Sequence, residues 1–229
     1  MEVELFSPLK TAREVSDFVV DSTPPILSVQ RLANPALVGQ AHLSIHGKTE
    51  EQATVYLLRA TSEKDTEPKQ LEQLPADSKG NFMLEADLAP GWNYLVIRAK
   101  DPAGNITERR QRVFRDTEAP EARLERVNPE GGGDPVNLDG HTAERYKLRI
   151  RLVAHDDSGR LFGATWSQDG SAPKPCVLKR VLPDKGGLQT EYRSEWILDN
   201  LPEGESKISC VVTDKVGRRQ TVTAKVTVD

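Results

Sequence analysis

The sequence predicts an all-β chain made of two tandem antiparallel β-sandwiches joined by a short linker that contains proline. Short stretches in which apolar and polar residues alternate recur between turn-forming residues, as in half-buried strands. A junction of the pattern Asp-x-x-x-Pro occurs at residues 21–25 and again at residues 116–120, each time after an apolar run. No apolar run is long enough to cross a membrane. A repeated β unit without a membrane span is therefore expected.

The junctions set the predicted domain boundaries. Asp21 and Asp116 lie 95 positions apart, and Asp116 and Asp229 lie 113 positions apart. Each interval is close to the roughly 100 residues of one immunoglobulin-type sandwich, and proline stops the preceding strand from continuing. We predict repeat 1 at residues 21–116 and repeat 2 at residues 117–229. Residues 1–20 are interpreted as the last hairpin of a preceding repeat, frayed or paired with a neighbour up to about residue 15.

Repeat 1 is predicted to contain seven short strands and no helix. They fall at residues 26–32, 41–47, 53–60, 71–74, 82–88, 95–99 and 107–115, and turn residues such as Pro90-Gly91 separate them. In the sixth strand, alternation predicts three inward residues, Leu95, Ile97 and Ala99, and three outward residues, Val96, Arg98 and Lys100.

Repeat 2 aligns with repeat 1 at its end. Asp101 to Asp116 and Asp214 to Asp229 both span 15 positions, so Ile208, Cys210 and Val212 fall on Leu95, Ile97 and Ala99. We predict that these six residues are buried. Cys210 is interpreted as a small core residue, since free cysteine is among the most buried residue types.

The middle of repeat 2 is longer than that of repeat 1. Strands are predicted at residues 148–152 and 161–167, and the glycines at 131–133 and the stretch 173–187 are interpreted as insertions. The inward face of the following strand carries either Trp196 and Leu198 or residues offset from them by a bulge.

Charge and cysteine content limit the function classes. The net charge is −4 and the pI is about 5.7, which argues against a nucleic-acid partner because phosphate binding needs a basic surface. The two cysteines, Cys176 and Cys210, form no CxxC pair, so a zinc site is not supported. They do not identify a compartment.

Several turn motifs resemble those of bacterial immunoglobulin-like (fibronectin-III-like) repeat modules of exported and surface proteins. These are the two Asp-x-x-x-Pro junctions, residues 80–82, residues 90–105, Asp156-Asp157-Ser158-Gly159 and Asp214-x-x-Gly217. The resemblance covers residues 21–229, and the sequence 214–218 departs from the usual Gly-Asn ending. It implies a non-enzymatic spacer or interaction segment of a larger polypeptide, located outside the cell, in the periplasm or on the cell surface, with further repeats of the same chain as partners.

Two other functions remain open at this stage. One is a carbohydrate- or protein-binding module, and the other is an accessory segment of an enzyme whose catalytic domain lies outside this chain. Residues 155–158 contain the residue types of a hydrolase triad, but adjacent residues on one turn cannot align a nucleophile, a base and an orienting acid. The sequence contains no GxSxG elbow, no HExxH motif and no phosphate-binding loop. We therefore predict no enzyme activity and no required cofactor.

Aromatic and basic residues provide two candidate binding surfaces. Trp166 is interpreted as a core residue of its strand. Trp92 is expected to be partly exposed, although a single aromatic residue makes no sugar-stacking platform. The basic residues Arg98, Lys100, Arg110 and Arg112 are expected on one outer face, either as a solvated edge that resists aggregation or as a docking patch for an acidic partner.

The acidic turns provide the candidate metal site. In an immunoglobulin-like sandwich, the second-to-third and sixth-to-seventh strand turns lie at the end where the chain enters. In repeat 2 this places Asp116, Asp156, Asp157 and Asp214 together, with Glu118 nearby. Such hard oxygen ligands suit Ca²⁺. The alternative is that these aspartates only favour turns and are all solvated.

Overall fold

The computed structural model describes residues 21–30, 32–127, 136–143, 147–181, 190–199 and 201–229. The predictions for residues 1–20 and for the glycines at 131–133 lie outside these residues. All 18 regular elements within the described ranges are β-strands. None of the described segments forms a helix long and apolar enough to cross a membrane.

Residues 28–115 form eight strands. They are β1 (Ser28–Val29), β2 (Ala36–Val38), β3 (His42–Lys48), β4 (Thr54–Ala60), β5 (Lys69–Pro75), β6 (Asn81–Asp87), β7 (Gly91–Lys100) and β8 (Ile106–Arg115). The three-stranded sheet has the order β1-β3-β6, and the five-stranded sheet has the order β2-β8-β7-β4-β5. All pairs are antiparallel except β2 with β8, which is parallel. The two sheets enclose one apolar core.

Residues 121–228 form ten strands. They are β9 (Glu121–Arg126), β10 (Val136–Asn137), β11 (His141–Ala143), β12 (Lys147–His155), β13 (Leu161–Gln168), β14 (Lys174–Cys176), β15 (Lys179–Val181), β16 (Glu191–Asp199), β17 (Gly204–Asp214) and β18 (Arg219–Val228). The sheets have the orders β10-β9-β12-β16-β15 and β11-β18-β17-β13-β14, and β11 is parallel to β18.

The connectivity is that of an immunoglobulin-like sandwich in both halves. The last two long strands, β7 and β8, pair with each other and with β4, while β3 pairs with β6 in the opposite sheet. The second half repeats this order with β17, β18 and β13 in one sheet and β12 and β16 in the other. This is the Greek-key arrangement of the fold. The predicted fold class is therefore confirmed, whereas the boundaries after residues 20 and 116 stay predictions.

The cores contain the residues that the repeat alignment predicts. Leu95, Ile97 and Ala99 in β7 are buried, as are Ile208, Cys210 and Val212 in β17. Both strands are central in their sheets, so their inward side chains are covered by the opposite sheet. Cys210 is fully buried and is not in a disulfide.

The structure departs from the prediction at the start of repeat 1. The strand expected at residues 26–32 is only the two-residue β1. The additional strand β2 raises the count from seven to eight and pairs in parallel with the end of β8. Its three residues, Ala36–Val38, are too few to show alternation.

Val96 was predicted to face solvent, and this is only half right. It lies on the outer face of β7, but it is 1% exposed there and packs with Leu58 and Ala60. Tyr56 and Tyr94 adjoin this small cluster. The prediction failed because strand alternation identifies a face and does not show what covers it.

The alternatives for the Trp196 strand are resolved. β12 and β16 pair without a register shift, with Ile150 opposite Trp196 and Leu148 opposite Leu198. The inward residues are therefore Trp196 and Leu198, without a bulge. Trp166 packs against the same core, and its ring stacks on Trp196 with 5.5 Å between centroids.

Candidate metal centre

The turn between β12 and β13 holds Asp156 rigidly. One of its carboxylate oxygens, Oδ1, accepts hydrogen bonds from the Ser158 backbone N–H at 3.1 Å and from the Ser158 hydroxyl. The Asp156 carbonyl accepts the Gly159 N–H at 2.9 Å. Gly159 has a φ of +66°, which glycine adopts without steric cost. Aspartate and glycine at these positions therefore fix the turn and the direction of the Asp156 carboxylate.

The turn between β17 and β18 holds Asp214 in the same way. Its Oδ1 accepts the backbone N–H groups of Val216 at 2.9 Å and Arg218 at 2.8 Å. Its own N–H donates to the Arg218 carbonyl at 3.0 Å. Gly217, with a φ of +93°, closes the turn.

Asp116 reaches these turns from the linker. Its backbone N–H donates to the Val38 carbonyl in β2 at 2.9 Å, so its main chain belongs to the first sandwich. Its side chain is fully buried and lies at the two turns of the second sandwich. The Arg218 guanidinium approaches Asp116 Oδ1 at 3.4 Å and the Gly39 carbonyl at 3.5 Å. Asp116 thus links the two sandwiches.

Three of the four predicted ligands meet at one point. One oxygen from each of Asp116, Asp156 and Asp157 lies within 4.8 Å of the other two. Asp214 is outside this group of three but is 1% exposed, and its charge acts on Asp116. Asp157 is exposed, and its Oδ1 accepts the Ser158 N–H at 2.8 Å. Glu118 is exposed.

Three buried carboxylate oxygens have no hydrogen-bond partner among the described residues. They are the Oδ2 atoms of Asp116, Asp156 and Asp214. Buried polar atoms are nearly always bonded, and one that is not indicates strain or a missing water or ion. The expectation that all these aspartates are merely solvated therefore does not fit the structure, since Asp116, Asp156 and Asp214 are buried.

The electrostatics of the cluster favour a bound cation or a bound proton. Burial raises the pKa of Asp116 to about 6, and repulsion from Asp156, Asp157 and Asp214 adds to this effect. Burial also raises the pKa of Asp156, against the hydrogen bonds from Ser158. A cation among these oxygens would remove the cost of keeping the carboxylates ionised.

The donor set fits Ca²⁺ in chemistry and size. Ca²⁺ takes carboxylate oxygens at about 2.3–2.6 Å, so two oxygens on opposite sides of one ion lie roughly 5 Å apart. The 4.8 Å limit on the separation of the three oxygens is compatible with this spacing. Zinc, copper and nickel are usually bound through nitrogen or sulfur ligands, and neither atom type is among the side-chain donors of the four aspartates. Asp116, Asp156 and Asp157 would hold the ion, with Asp214 adjacent.

The basic patch has internal partners. Arg98 forms a salt bridge with Glu108 at 2.6 Å, and Arg112 forms one with Glu63 at 2.5 Å. Arg110 donates to the Glu63 carbonyl at 3.1 Å. Lys100 is exposed at the end of β7. The outer-face placement therefore matches the prediction, whereas a docking role for these residues stays a prediction.

The triad-like residue types of residues 155–158 do not form a catalytic arrangement. His155 Nε2 lies 2.9 Å from a Glu121 carboxylate oxygen. The Ser158 hydroxyl donates to Asp156 and not to His155. In this turn the serine and the aspartate stabilise backbone geometry, as expected of Asx turns.

The role of Arg218 in the site was not predicted from the sequence. The position is recognisable, because Arg218 follows Asp214 by four residues, as Asn105 follows Asp101 in repeat 1. What the pattern could not show is that the guanidinium leaves its own turn for Asp116 and for Gly39 of the first sandwich.

Comparisons with known proteins give no family. No protein-family model matches the chain, and no curated protein sequence matches it. Among solved structures, the chain is similar to a marsupial T cell receptor, with 10% sequence identity and a TM-score of 0.32. The match covers 88% of this chain and 100% of the receptor chain.

Proposed function

We propose that this chain is a non-enzymatic tandem immunoglobulin-like spacer of a larger exported or cell-surface bacterial protein, and that Ca²⁺ at the junction sets the relative orientation of the two sandwiches. Asp116, Asp156 and Asp157 would bind the ion, and Asp214 would add negative charge beside it. The bacterial and extracellular context rests on the resemblance of the turn motifs. The calcium-dependent junction rests on the geometry of the four aspartates.

The main support for this proposal is that Asp116 contacts both sandwiches. Its main chain is hydrogen-bonded to Val38 of the first sandwich, and its carboxylate lies at the turns of the second. An ion shared by Asp116 and Asp156 would therefore connect both sandwiches directly. Calcium binding would therefore also fix the orientation of the two sandwiches relative to each other.

Repulsion among the carboxylates predicts that calcium stabilises the junction. Two carboxylates about 4 Å apart repel by roughly 1 kcal/mol in water and by more when partly buried. In the metal-free protein only Arg218 places a cationic side chain against Asp116 among the described residues. A ligand that binds only the folded state stabilises it in proportion to the logarithm of its concentration. We expect dissociation constants of roughly 10⁻⁴–10⁻³ M, as in extracellular calcium modules.

This arrangement suits a spacer. Pro120 is buried just after Asp116, and the linker is short. Without the ion, repulsion among the carboxylates would loosen the junction. With the ion, the two sandwiches would form a stiff rod that holds a neighbouring domain of the polypeptide away from the cell.

The test is calorimetry together with small-angle X-ray scattering on the whole chain, in EDTA and in about 5 mM CaCl₂, a level chosen to fill such a site. We expect calcium to raise the melting temperature of the second sandwich and to narrow the distribution of molecular dimensions. MgCl₂ at the same concentration is the control, because Mg²⁺ requires stricter octahedral geometry and gives up its waters reluctantly. An unchanged melting temperature together with unchanged scattering would show a passive spacer.

A further inference from the structure

The outer face of the five-stranded sheet in the first sandwich carries a groove that is separate from the calcium site. Its floor includes Ala60 and Val96. These two residues form a small apolar cluster with Leu58 that is buried although it lies outside the main core. The segment between β4 and β5 provides residues Ser62 and Glu63 to its wall. An antiparallel sheet with one face on the core usually exposes its other face to solvent. Apolar side chains that are buried on this outer face are therefore unusual.

The wall segment is held in a defined shape. Asp65 accepts the Thr61 backbone N–H at 2.7 Å, the Thr61 hydroxyl at 2.8 Å and the Glu67 N–H at 2.9 Å. These bonds lower the pKa of Asp65, so it stays ionised and bonded. The groove is therefore formed before any ligand arrives, as is usual for small-molecule sites.

Two adjoining cavities make up the groove. Their volumes are about 260 Å³ and 320 Å³. Both are lined by Ser62, Glu63, Tyr94 and Arg112. The second cavity also reaches Trp92 and Lys64, and the first reaches Arg110. The larger volume is at the lower end of the range of about 300–1,000 Å³ that is usual for small-ligand sites, and the smaller volume is below it.

Aromatic rings line one end. Trp92 and Tyr94 are two positions apart in β7, so both project from the outer face. Their ring planes differ by 22° with centroids 6.4 Å apart, and the edge of Phe114 supports Trp92 at 5.1 Å. Trp92 remains 50% exposed. Trp92, expected to be partly exposed, is therefore accompanied by a second ring with a nearly parallel plane, which the sequence analysis did not predict.

The groove is basic in an acidic chain. Lys64, Arg110 and Arg112 line it against the single carboxylate of Glu63, which gives a local excess of two positive charges. The whole chain has a net charge of −4. The other two members of the basic patch do not line either cavity, because Arg98 is paired with Glu108 and Lys100 is at the end of β7.

We infer that this groove binds an acidic glycan, a pyranose ring that carries a carboxylate. The apolar face of the ring would stack on Trp92 and Tyr94, since aromatic faces are large, rigid and apolar. The carboxylate would pair with Arg112, whose planar guanidinium donates two parallel hydrogen bonds to such a group.

The concave shape of the groove favours a small ring as its ligand over the surface of another protein. A stable protein interface buries about 800 Å² on each partner and is closely complementary over that area. Here the pair of Trp92 and Tyr94 lies at one end of the groove, and the sheet face beyond it carries paired ions such as Arg98 and Glu108. A pocket with apolar walls and a few convergent polar groups is typical of a small-ligand site.

Glu63 occupies the place of the ligand carboxylate in the structure. Its side chain is 55% exposed and contacts Arg112 at 2.5 Å. Exposed ion pairs contribute little to stability, so a ligand carboxylate can replace Glu63 at Arg112. Removing the Glu63 charge should therefore strengthen binding of an acidic ligand, whereas removing the Arg112 charge should weaken it.

The experiment titrates the whole chain with short oligomers of galacturonic acid and follows the heat of binding by isothermal titration calorimetry, since this signal is also available when Trp92 is replaced. We expect saturable binding that Arg112→Gln weakens about tenfold or more, as expected for loss of a charge-assisted bond. Glu63→Gln should strengthen binding by several fold, and Trp92→Ala should abolish it. The melting temperature of each variant shows that it is folded.

Two controls separate the groove from its surroundings. Phe162→Ala removes another exposed aromatic residue, which is next to Lys215 but lines neither cavity. Arg98→Gln removes a cation of the same sheet face. Both should bind the oligomer as the unmodified chain does. Neutral glucose oligomers of equal length should bind about tenfold more weakly.

Three outcomes would overturn the inference. They are no binding at millimolar oligomer, equal affinity in Arg112→Gln, and binding of an acidic peptide at this groove in the absence of glycan binding. The last outcome would identify a protein-docking surface. None of these results depends on calcium, so they leave the junction proposal unaffected.

Discussion

Asn105 and Arg218 occupy the same place in equivalent turns, but only Asn105 satisfies the aspartate of its own turn. The backbone N–H of each residue donates to the Oδ1 of the aspartate four positions earlier, at 2.8 Å in both turns. The Asn105 side chain then donates to Asp101 Oδ2 at 2.9 Å. The Arg218 guanidinium extends to Asp116, and Asp214 Oδ2 has no hydrogen-bond partner in the part of the chain that the structure describes.

The pKa of Asp101 in the first turn and the pKa of Asp116 beside the second turn are shifted in opposite directions. Burial raises the pKa of Asp101, but the hydrogen bonds from Asn105 outweigh this effect and lower it below the usual value. In the second sandwich, burial raises the pKa of Asp116, and repulsion from Asp156, Asp157 and Asp214 adds to this effect. The side chain four positions after the aspartate therefore bonds to its own turn in the first sandwich, whereas in the second it extends to the linker.

Arg218→Ala should therefore destabilise the metal-free protein at neutral pH and increase the stabilisation by calcium. It removes the cationic partner of Asp116, which leaves the buried carboxylates more repulsive and the site more attractive to a cation. Urea unfolding in EDTA and in calcium measures both effects.

The matched control is Asn105→Ala. It leaves Asp101 Oδ2 without its amide partner, at an expected cost of about 1–3 kcal/mol. Because Asp101 belongs to the first sandwich, calcium should not restore this loss. A calcium response equal in both variants would contradict the assignment of the cluster.

Asp116→Asn should abolish the calcium response. The change keeps the size of the side chain and removes the charge at the point where the sandwiches meet. In EDTA at neutral pH the variant should be more stable than the unmodified chain, because a neutral amide relieves the repulsion of Asp156 and Asp157. Calorimetry in EDTA and in calcium provides both readings.

Asp77→Asn is the control for this change. Asp77 accepts bonds from the N–H groups of Lys79 and Asn81 and from the Asn81 side chain, in a turn of the first sandwich. Its replacement should lower stability, with the calcium response intact. If Asp116→Asn instead retained the full response, the ion would bind elsewhere.

The metal-free protein should lose stability as the pH rises through the titration of Asp116. The pKa of this group is about 6 in the folded chain against 3.8 for the unperturbed group. Between these values the folded chain binds a proton that the unfolded chain has released, so the free energy of unfolding falls with rising pH. Protonation of Asp116 removes the cost of its buried charge. This stabilisation is fully present below the unperturbed pKa of 3.8 and is lost as the pH rises above about 6.

The measurement is urea unfolding in EDTA at several pH values from about 4 to 7.5, which bracket the two pKa values. Asp116→Asn is the reference, because the pH dependence that comes from other titrating groups is common to both proteins. One such group is His141, whose pKa is lowered by burial and by Arg126. The difference between the two proteins should change with pH in this window. In calcium the sign should reverse, because the ion stabilises the ionised form. A difference that is constant with pH would rule out the raised pKa.

The fold and the place of the candidate site could be predicted from the sequence because both depend on local patterns. Alternation in β7 and β17 identified their inward faces, and the aspartates that close turns identified the meeting point of the linker with the second sandwich. Turn chemistry is local, and in this fold the topology places the two turns at one end. Burial of Asp116 and Asp156 was not predictable, since it depends on packing between the sandwiches.

The groove could not be predicted for the same reason. Val96 was placed on the correct face, but the sequence does not show that the segment around Glu63 returns to that face. The ion pair between Glu63 and Arg112 joins residues from separate strands and loops. Non-local contacts of this kind follow from the tertiary fold and leave no periodic signal in the sequence.

The last prediction tests the assignment of Cys210 to the core. A hydrogen bond with Cys176 and burial raise the pKa of the Cys210 thiol, whereas the same hydrogen bond lowers the pKa of the Cys176 thiol, which is half-buried. In the native protein a thiol reagent should therefore modify Cys176 and leave Cys210 unmodified, and both should react in urea. Cys210→Ala should cost about 1–3 kcal/mol of unfolding free energy, as a large-to-small change at a fully buried site. In Cys176→Ala, rapid native labelling of the remaining Cys210 thiol would show that β17 does not hold it in the core.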